Sequence, residues 1–345
     1  MSTSRRTILR GASALVALTG IVGGVAWQRR RATEALESEP IAEPWAELGP
    51  QGHWLRANLR AARMVVPDRP HRVEEAREPE RRASLRRTRR FSVTTNADRL
   101  RMAEITPAPA PGVTRLVAIG DSVTFGWGVE VEDAFPAQLE AELNRRGHKV
   151  EVLNAGVPGQ HPPTMGSWLN LIGPRYGVSG VVFSRRVAFN GPHPIQGYAD
   201  AVRTGQRGLP NARFQIILPP ISRFDAGSLT ANPAGEGGLI RQQLPDIPLL
   251  DLTDIFRAAQ GERGYGLKAT PTGKLALVNL TTGEALVEAA ADGRDLPWAI
   301  CEALDEDDSL REPLMFDSGH PDAEGFVVYA RAVADQLEAG GWFSA

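Results

Sequence analysis

The chain has 345 residues, of which 42% are hydrophobic and 23% are charged, as in an ordinary globular protein of one large domain or two. Its formal net charge of −2 gives no whole-molecule attraction for nucleic acid, which is therefore not an expected partner. A single cysteine, Cys301, excludes an intramolecular disulfide and a metal site built from several cysteines. The 35 glycines and 26 prolines favour a loop-rich α/β protein over a helical bundle.

The first 27 residues have the layout of an export signal. Arg5 and Arg6 stand in the basic stretch SRRTILR, and residues 11–27 that follow carry no charge. The paired arginines resemble a bacterial twin-arginine signal. We therefore expect an exported protein, periplasmic or extracellular. The residues leave open whether the segment is cleaved or retained as a membrane anchor, because the apolar run is short for a span and residues 29–31 are all arginine.

Residues 28–90 are polar and rich in arginine and proline, and we predict a linker here. Arginines outnumber acids between Arg56 and Arg90, which would suit contact with an anionic surface. The alternative, which we prefer, is a solvated spacer with some helix. Residues 54–66 have a weak helical periodicity and could dock on the domain that follows.

From residue 91 to residue 345 the pattern predicts one domain in which strands alternate with helices. This alternation implies a mostly parallel sheet with helices on both faces. An acidic stretch and a hairpin turning near Thr282 and Gly283 predict an insertion at about 260–313. Strands are predicted in 111–119, 180–189 and 212–220, a strand and then a loop in 149–159, and a strand followed by the start of a helix in 247–259. The other predicted helices lie in 135–147, 194–208 and 323–341.

Polar residues follow several of the predicted strands. In open parallel sheets ligands bind at the carboxyl ends of the strands, so these residues should face one crevice. They comprise a hydroxyl, backbone amides, a side-chain amide and an Asp/His pair, which are the parts of an acyl-transfer site. The four groups are residues 120–122 (GDS), 154–156 (NAG), 190–191 (NG) and 317–320 (DSGH).

The segment DSGHP at 317–321 supplies a carboxylate three residues before an imidazole. On a turn, this spacing lets Asp317 reach the near ring nitrogen of His320 and leaves the other nitrogen for Ser122. A serine needs a base to take its proton, and the base needs a carboxylate to fix its tautomer. Ser122, at a strand-to-helix turn, is therefore the candidate nucleophile.

These motifs resemble those of the SGNH hydrolases, the superfamily that includes the GDSL esterases and lipases. The first, second and last blocks correspond to AIGDSVTFGWGV, LNAGVPG and FDSGHPDAEG. The resemblance implies a flavodoxin-like three-layer α/β/α sandwich. The sequence has no Gly-rich phosphate loop of the P-loop type and no His/Glu metal spacing, so we expect no cofactor or metal. The resemblance also implies that Ser122 is the nucleophile, that His320 is the base oriented by Asp317, and that the amides of Ser122 and Gly156 are oxyanion donors.

The third block departs from the family pattern of Gly-x-Asn-Asp, since the chain reads Ala188-Phe189-Asn190-Gly191. Asn190 is the candidate side-chain oxyanion donor, in a changed setting. We interpret Asp121, Arg185 and His193 as candidate substrate-binding residues. For Arg185 and its neighbour Arg186, the alternatives are an anion site and an unusual strand end.

The first functional hypothesis is an exported serine esterase that cleaves a carboxylic ester, on an acylated polysaccharide or a lipid, through an acyl-enzyme. The second is an acyltransferase that uses the same residues and passes the acyl group to a sugar hydroxyl. The third is a membrane-tethered binding protein with a degenerate catalytic fold. The sequence predicts no oligomeric state.

Overall fold

A computed structural model gives the architecture of the chain. The export signal, most of the predicted linker, Asn190 and His193 lie outside the residues that it describes. Those residues are 46–49, 52–67, 88–186, 194–224, 233–272, 274–288, 311–317 and 319–343.

A five-stranded parallel sheet forms the centre of the fold, in the order β6-β5-β7-β8-β9. The central strands are continuous apolar runs, as expected for strands that are covered on both faces. In β5, for example, Leu116 to Ile119 are completely buried. The five strands are β5 (Thr114–Gly120), β6 (Val150–Gly156), β7 (Gly180–Ser184), β8 (Arg213–Leu218) and β9 (Leu249–Asp251).

Seven helices are present among the described residues, and six of them cover the two faces of the sheet. Val117 and Ile119 of β5 pack in one apolar cluster with α3, α4 and α5, whereas Leu116 and Ala118 pack in another with α2, α6 and α7. The predicted three-layer α/β/α sandwich is therefore confirmed. The helices are α1 (Ser122–Phe125), α2 (Phe135–Arg145), α3 (Pro162–Arg175), α4 (Pro194–Gly208), α5 (Pro233–Gln243), α6 (Thr253–Gln260) and α7 (Ala323–Ala339).

The segment before the sheet is extended where it is described, and the helical prediction for 54–66 is wrong. It forms a small ribbon, β1 (Ala46–Gly49) with β2 (Gly52–Leu55), and a hairpin, β3 (Ala62–Pro67) with β4 (Thr88–Val93). The predicted domain boundary at residue 91 falls inside β4. Leu55, Met64 and Phe91 pack on the sandwich in a third apolar cluster, so this part of the predicted linker is docked.

The predicted insertion contains a three-stranded antiparallel sheet of β10 (Tyr265–Ala269), β11 (Leu275–Asn279) and β12 (Ala285–Glu288). The turn between β11 and β12 contains Gly283 at φ 76°, in the position predicted from the sequence. Within the described ranges, every helix is too short or too polar to span a lipid bilayer.

Candidate active site

The strand-to-helix turn after β5 presents Ser122 at the carboxyl edge of the sheet. Asp121 is the N-cap of α1, and its Oδ1 accepts a hydrogen bond from the Val123 amide at 3.1 Å. Gly120 has no room for a side chain, because a Cβ there would lie 2.0 Å from Thr124 Oγ1 and 2.2 Å from the Ser184 carbonyl oxygen. In the Gly-Asp-Ser sequence, the glycine thus allows close contact with the neighbouring strand, the aspartate caps the helix, and the serine places its hydroxyl at the edge of the sheet.

Ser122, His320 and Asp317 form one continuous chain of hydrogen bonds. His320 Nε2 lies 2.8 Å from Ser122 Oγ, and His320 Nδ1 lies 2.8 Å from each carboxylate oxygen of Asp317. The imidazole is 2% exposed and the Asp317 residue 9%, while Ser122 is half-buried. A shielded base with a partly accessible hydroxyl is the arrangement that nucleophilic acyl transfer requires.

The loop before α7 holds the two residues that activate the serine. Met315 and Pro321 form an isolated β-bridge, and the Phe316 amide donates to the His320 carbonyl at 2.9 Å. Asp322 then caps α7 by accepting from the Gly325 amide at 2.8 Å. Burial raises the pKa of this Asp322 carboxyl. The short bridge and the cap together fix the spacing between Asp317 and His320 that the sequence indicated.

The two backbone amides expected to be oxyanion donors differ in their hydrogen bonding. The Ser122 amide, at the first position of α1, has no partner among the described residues and is available. The Gly156 amide instead donates to Asn154 Oδ1 at 3.1 Å, and a Cβ on Gly156 would lie 2.2 Å from the Phe125 nitrogen. Gly156 therefore lets the nucleophile helix approach β6, and its amide, the predicted oxyanion donor, is engaged by Asn154 Oδ1.

Gly159, three residues farther along the same loop, replaces Gly156 as the candidate second donor. It has φ 72°, a Cβ there would meet nothing within 4 Å, and its amide is unpartnered within the described ranges. It is the second glycine of the motif LNAGVPG, and this was the signal that could have identified it.

The structure brings Arg185 close to Asp121, the residue that precedes the nucleophile. Arg185 follows β7, is 7% exposed and has its Nη1 3.7 Å from Asp121 Oδ2. The same nitrogen donates to the Gln160 carbonyl, next to Gly159. These contacts support a role in holding the loop after β6, which differs from the direct substrate contact expected from the sequence.

Arg186 belongs to the framework of the sheet. Its guanidinium donates to Asp251 Oδ1 at 2.6 Å and to Glu236 Oε2 at 3.0 Å, which joins the end of β7 to β9 and α5. Of the two alternatives for this arginine, the structural one agrees with the contacts. Asn190 and His193, the remaining candidates, lie in the segment 187–193 that the structure does not describe.

An aromatic wall that the sequence analysis did not identify surrounds the imidazole. The ring of Trp127 lies 6.4 Å from that of His320, and the ring of Phe316 lies 6.1 Å from it, both measured between centroids. Phe91 of the hairpin packs edge-on against Trp127 at 5.9 Å. The N-terminal hairpin therefore contributes to the surroundings of the triad.

Arg101 is a second support that the sequence analysis did not identify. It is completely buried and donates to the carbonyls of Phe125, Gly126 and Val129 at 2.5, 2.8 and 2.7 Å, just after the nucleophile helix. It also donates to the Ser92 carbonyl of β4 at 3.2 Å. Burial lowers the pKa of Arg101 to about 10. This side chain ties the hairpin to the loop that carries Trp127.

The described residues contain no group of three or more His, Cys, Asp or Glu side chains placed to hold a metal ion. The triad itself contains the groups that acyl transfer requires. Its serine can attack an electrophilic carbonyl, its imidazole can transfer the proton, and its carboxylate can orient the imidazole.

Comparison with known proteins gives structural likeness without close sequence similarity. No protein-family model and no curated protein matches the chain. A two-domain esterase active on acetylated mannans matches 66% of the chain at 12% identity with a TM-score of 0.42, and the chain spans about half of that esterase, 49%. The lipase/acylhydrolase from Enterococcus faecalis matches 66% of the chain and 96% of its own length at 14% identity, with a TM-score of 0.40.

A Clostridium thermocellum family 3 carbohydrate esterase is similar over 66% of this chain and 98% of its own, at 13% identity and a TM-score of 0.38. These identities and TM-scores are too low to assign a function, which must be inferred from the geometry of the chain itself.

Proposed function

We propose that the protein is a serine hydrolase that cleaves a carboxylic ester through an acyl-enzyme. The observation that carries the proposal is the unbroken hydrogen-bond chain from Ser122 through His320 to Asp317, with both links at 2.8 Å. A serine that only capped a helix, or a histidine that only filled the core, would not require both of these hydrogen bonds.

The steps follow from the positions of these atoms. Ser122 Oγ attacks the ester carbonyl while His320 Nε2 takes its proton, and the tetrahedral oxyanion forms beside the Ser122 amide. The C–O bond to the alcohol then breaks, and the imidazolium returns the proton to the departing alkoxide. Water then attacks the acyl-serine while His320 takes its proton, and collapse of the second tetrahedral intermediate releases the carboxylic acid and restores the serine.

The proposal includes export, which rests on the sequence of residues 1–27. The twin-arginine pattern and the uncharged run after it support a location in the periplasm or outside the cell. Such a location would bring the enzyme to acylated polysaccharides or lipids of the cell surface.

The test is covalent labelling with a fluorophosphonate, which reports an activated serine without needing the correct substrate. We expect labelling of the purified chain, none of Ser122→Ala, and unchanged labelling of Ser167→Ala, whose hydroxyl lies on the outer side of α3 and donates to the Pro163 carbonyl. In the same assay, Asn190→Ala should slow labelling by about 10²–10³-fold if that amide is an oxyanion donor. Absence of labelling of the folded chain at every pH from about 6 to 9, the range around the operating pH of general bases, would refute the proposal.

A further inference from the structure

One inward position of the β3–β4 hairpin carries a charge where its neighbours are apolar. The side chains that β4 turns towards the sandwich are Val93, Phe91 and Arg89, of which the first two are 0% and 3% exposed. On β3 the inward side chains Met64 and Val66 are also buried, and Val66 is paired with Arg89. A strand that packs on an apolar cluster would ordinarily continue this row with an apolar residue.

Arg89 reaches the edge of the active site. Its Cζ lies 4.7 Å from the ring centroid of Phe316, whose ring lies 6.1 Å from that of His320. The guanidinium is thus separated from the catalytic base by one aromatic ring. Phe316 immediately precedes Asp317, so its ring is carried by the same loop as Asp317 and His320.

The guanidinium of Arg89 forms no hydrogen bond or ion pair with any described residue, and its contact is the Phe316 face. The nearby carboxylate that feels its charge is Asp322, which is already engaged with the Gly325 amide. An arginine that stacks on a ring keeps its N–H groups at the ring edge, where they can bind a carboxylate or phosphate in the plane.

The surroundings suit a polar polymer better than a lipid chain. Among the described residues, three large hydrophobic side chains are markedly exposed, Val65, Leu171 and Leu239, and none belongs to the aromatic wall around His320. A long acyl chain would need a continuous apolar surface. Trp127, beside the imidazole, is instead partly exposed, and an aromatic ring of this kind suits contact with a sugar ring, whereas Phe316 is 2% exposed and serves to position Arg89.

We propose that Arg89 binds an anionic group of the substrate, and that this substrate is a short-chain acyl ester on an acidic glycan, with Arg89 holding a uronate carboxylate one ring away from the ester at Ser122. The inference rests on the proposed esterase function and adds the substrate class. It also gives the docked hairpin a role in specificity.

The experiment compares kcat/KM for acetylated polygalacturonate with kcat/KM for an acetylated neutral mannan. The parent should prefer the acidic polymer, and Arg89→Met should reduce the acidic-to-neutral ratio by about 10–100-fold, the usual effect of losing a charge-assisted pair. Arg89→Lys should retain part of the preference because it keeps the charge without the planar fork. The control is Arg63→Met on the outward face of β3, which should leave the ratio within about twofold, since exposed charges contribute little.

A second measurement avoids turnover. The Ser122→Ala chain should bind deacetylated polygalacturonate, more weakly as salt is raised, and Arg89→Met in that background should abolish most of the binding. The inference would be overturned if the parent and Arg89→Met had equal acidic-to-neutral ratios of kcat/KM. It would also be overturned if Ser122→Ala and the double variant Ser122→Ala/Arg89→Met bound polygalacturonate equally. A preference for phospholipid vesicles over both glycans would also overturn it. Failure of the fluorophosphonate to label Ser122 would instead refute the esterase function, so the two failures can be distinguished.

Discussion

Asp317 is held in place by more contacts than its role as a partner of the imidazole requires. Its Oδ1 accepts from the amides of Gly319 and His320 at 2.7 and 2.8 Å, and both oxygens face His320 Nδ1. The carboxylate therefore acts only as an acceptor, with donors on every side. An amide group at this position would have to point its NH2 at a backbone N–H or at the ring N–H, and either choice disturbs the imidazole.

We therefore expect Asp317→Asn to slow fluorophosphonate labelling of Ser122 by about 10²–10⁴-fold, because the imidazole would lose its correct tautomer and orientation. The matched control is Asp322→Asn, in the same loop, where asparagine caps a helix about as well as aspartate. The control should label at nearly the parent rate. Equal rates for both variants would mean that Asp317 is only a turn residue.

At the scale of elements, the hairpin shows where sequence patterns failed. Residues 54–66 have apolar residues at intervals that fit a helix weakly, but β3 uses Met64 and Val66 at a spacing of two to face Phe91 and Phe125. The partner strand of β3 begins at Thr88, 21 positions after β3 ends, so no short turn signal marked the pair. Helix α3 was missed because Pro162, Pro163 and Gly166 obscure its period, although Gly166 is required where a Cβ would lie 2.5 Å from the Ala201 carbonyl oxygen of α4.

Docking of the hairpin can be tested at its main apolar contact. Phe91→Ala removes a ring that is 3% exposed and packs on Trp127, so we expect a loss of about 3–5 kcal/mol in the free energy of unfolding. Val65→Ala, on the outward face of the neighbouring strand, should change it by less than about 0.5 kcal/mol. Urea unfolding followed by tryptophan fluorescence measures both. If the Phe91→Ala midpoint equals that of the parent, the hairpin does not stabilise the sandwich.

At the scale of the whole molecule, the sequence was sufficient to predict the apolar strands and those site residues that belong to short local motifs. The five sheet strands and the Ser122, Asp317 and His320 set could be predicted, because strand periodicity and a three-residue spacing are visible along the chain. The roles of Arg101 and Trp127 could not, since each depends on contacts between segments that are distant in sequence. The hydrogen bond from the Gly156 amide to the side chain of Asn154 could not be predicted either, because it depends on how that side chain turns.

The two helices α2 and α7 are joined by a cluster of charges that should govern the stability of the whole domain in acid. Glu142 accepts from Arg145 at 2.7 and 2.8 Å and from Arg146 at 2.9 Å. Arg146 in turn reaches Asp335 and Glu338 of α7 at 2.7 and 2.6 Å. The hydrogen bonds from Arg145 and then Arg146, against the effect of burial, lower the pKa of Glu142 from 4.5 to about 2.

Because the folded chain lowers this pKa, the unfolded chain binds the proton more tightly, and the stabilisation is present above pH 4.5 and lost as the pH falls towards 2. Glu142→Gln should therefore cost about 1–3 kcal/mol of unfolding free energy near neutral pH, the usual worth of hydrogen bonds to a charged group. The difference from the parent should shrink steadily between pH 4.5 and pH 2. Urea unfolding at several pH values measures it, with Glu132→Gln on an exposed side chain as the control that should show no such convergence. A constant difference at all pH values would mean that Glu142 stabilises the helix pair by packing and not by its charge.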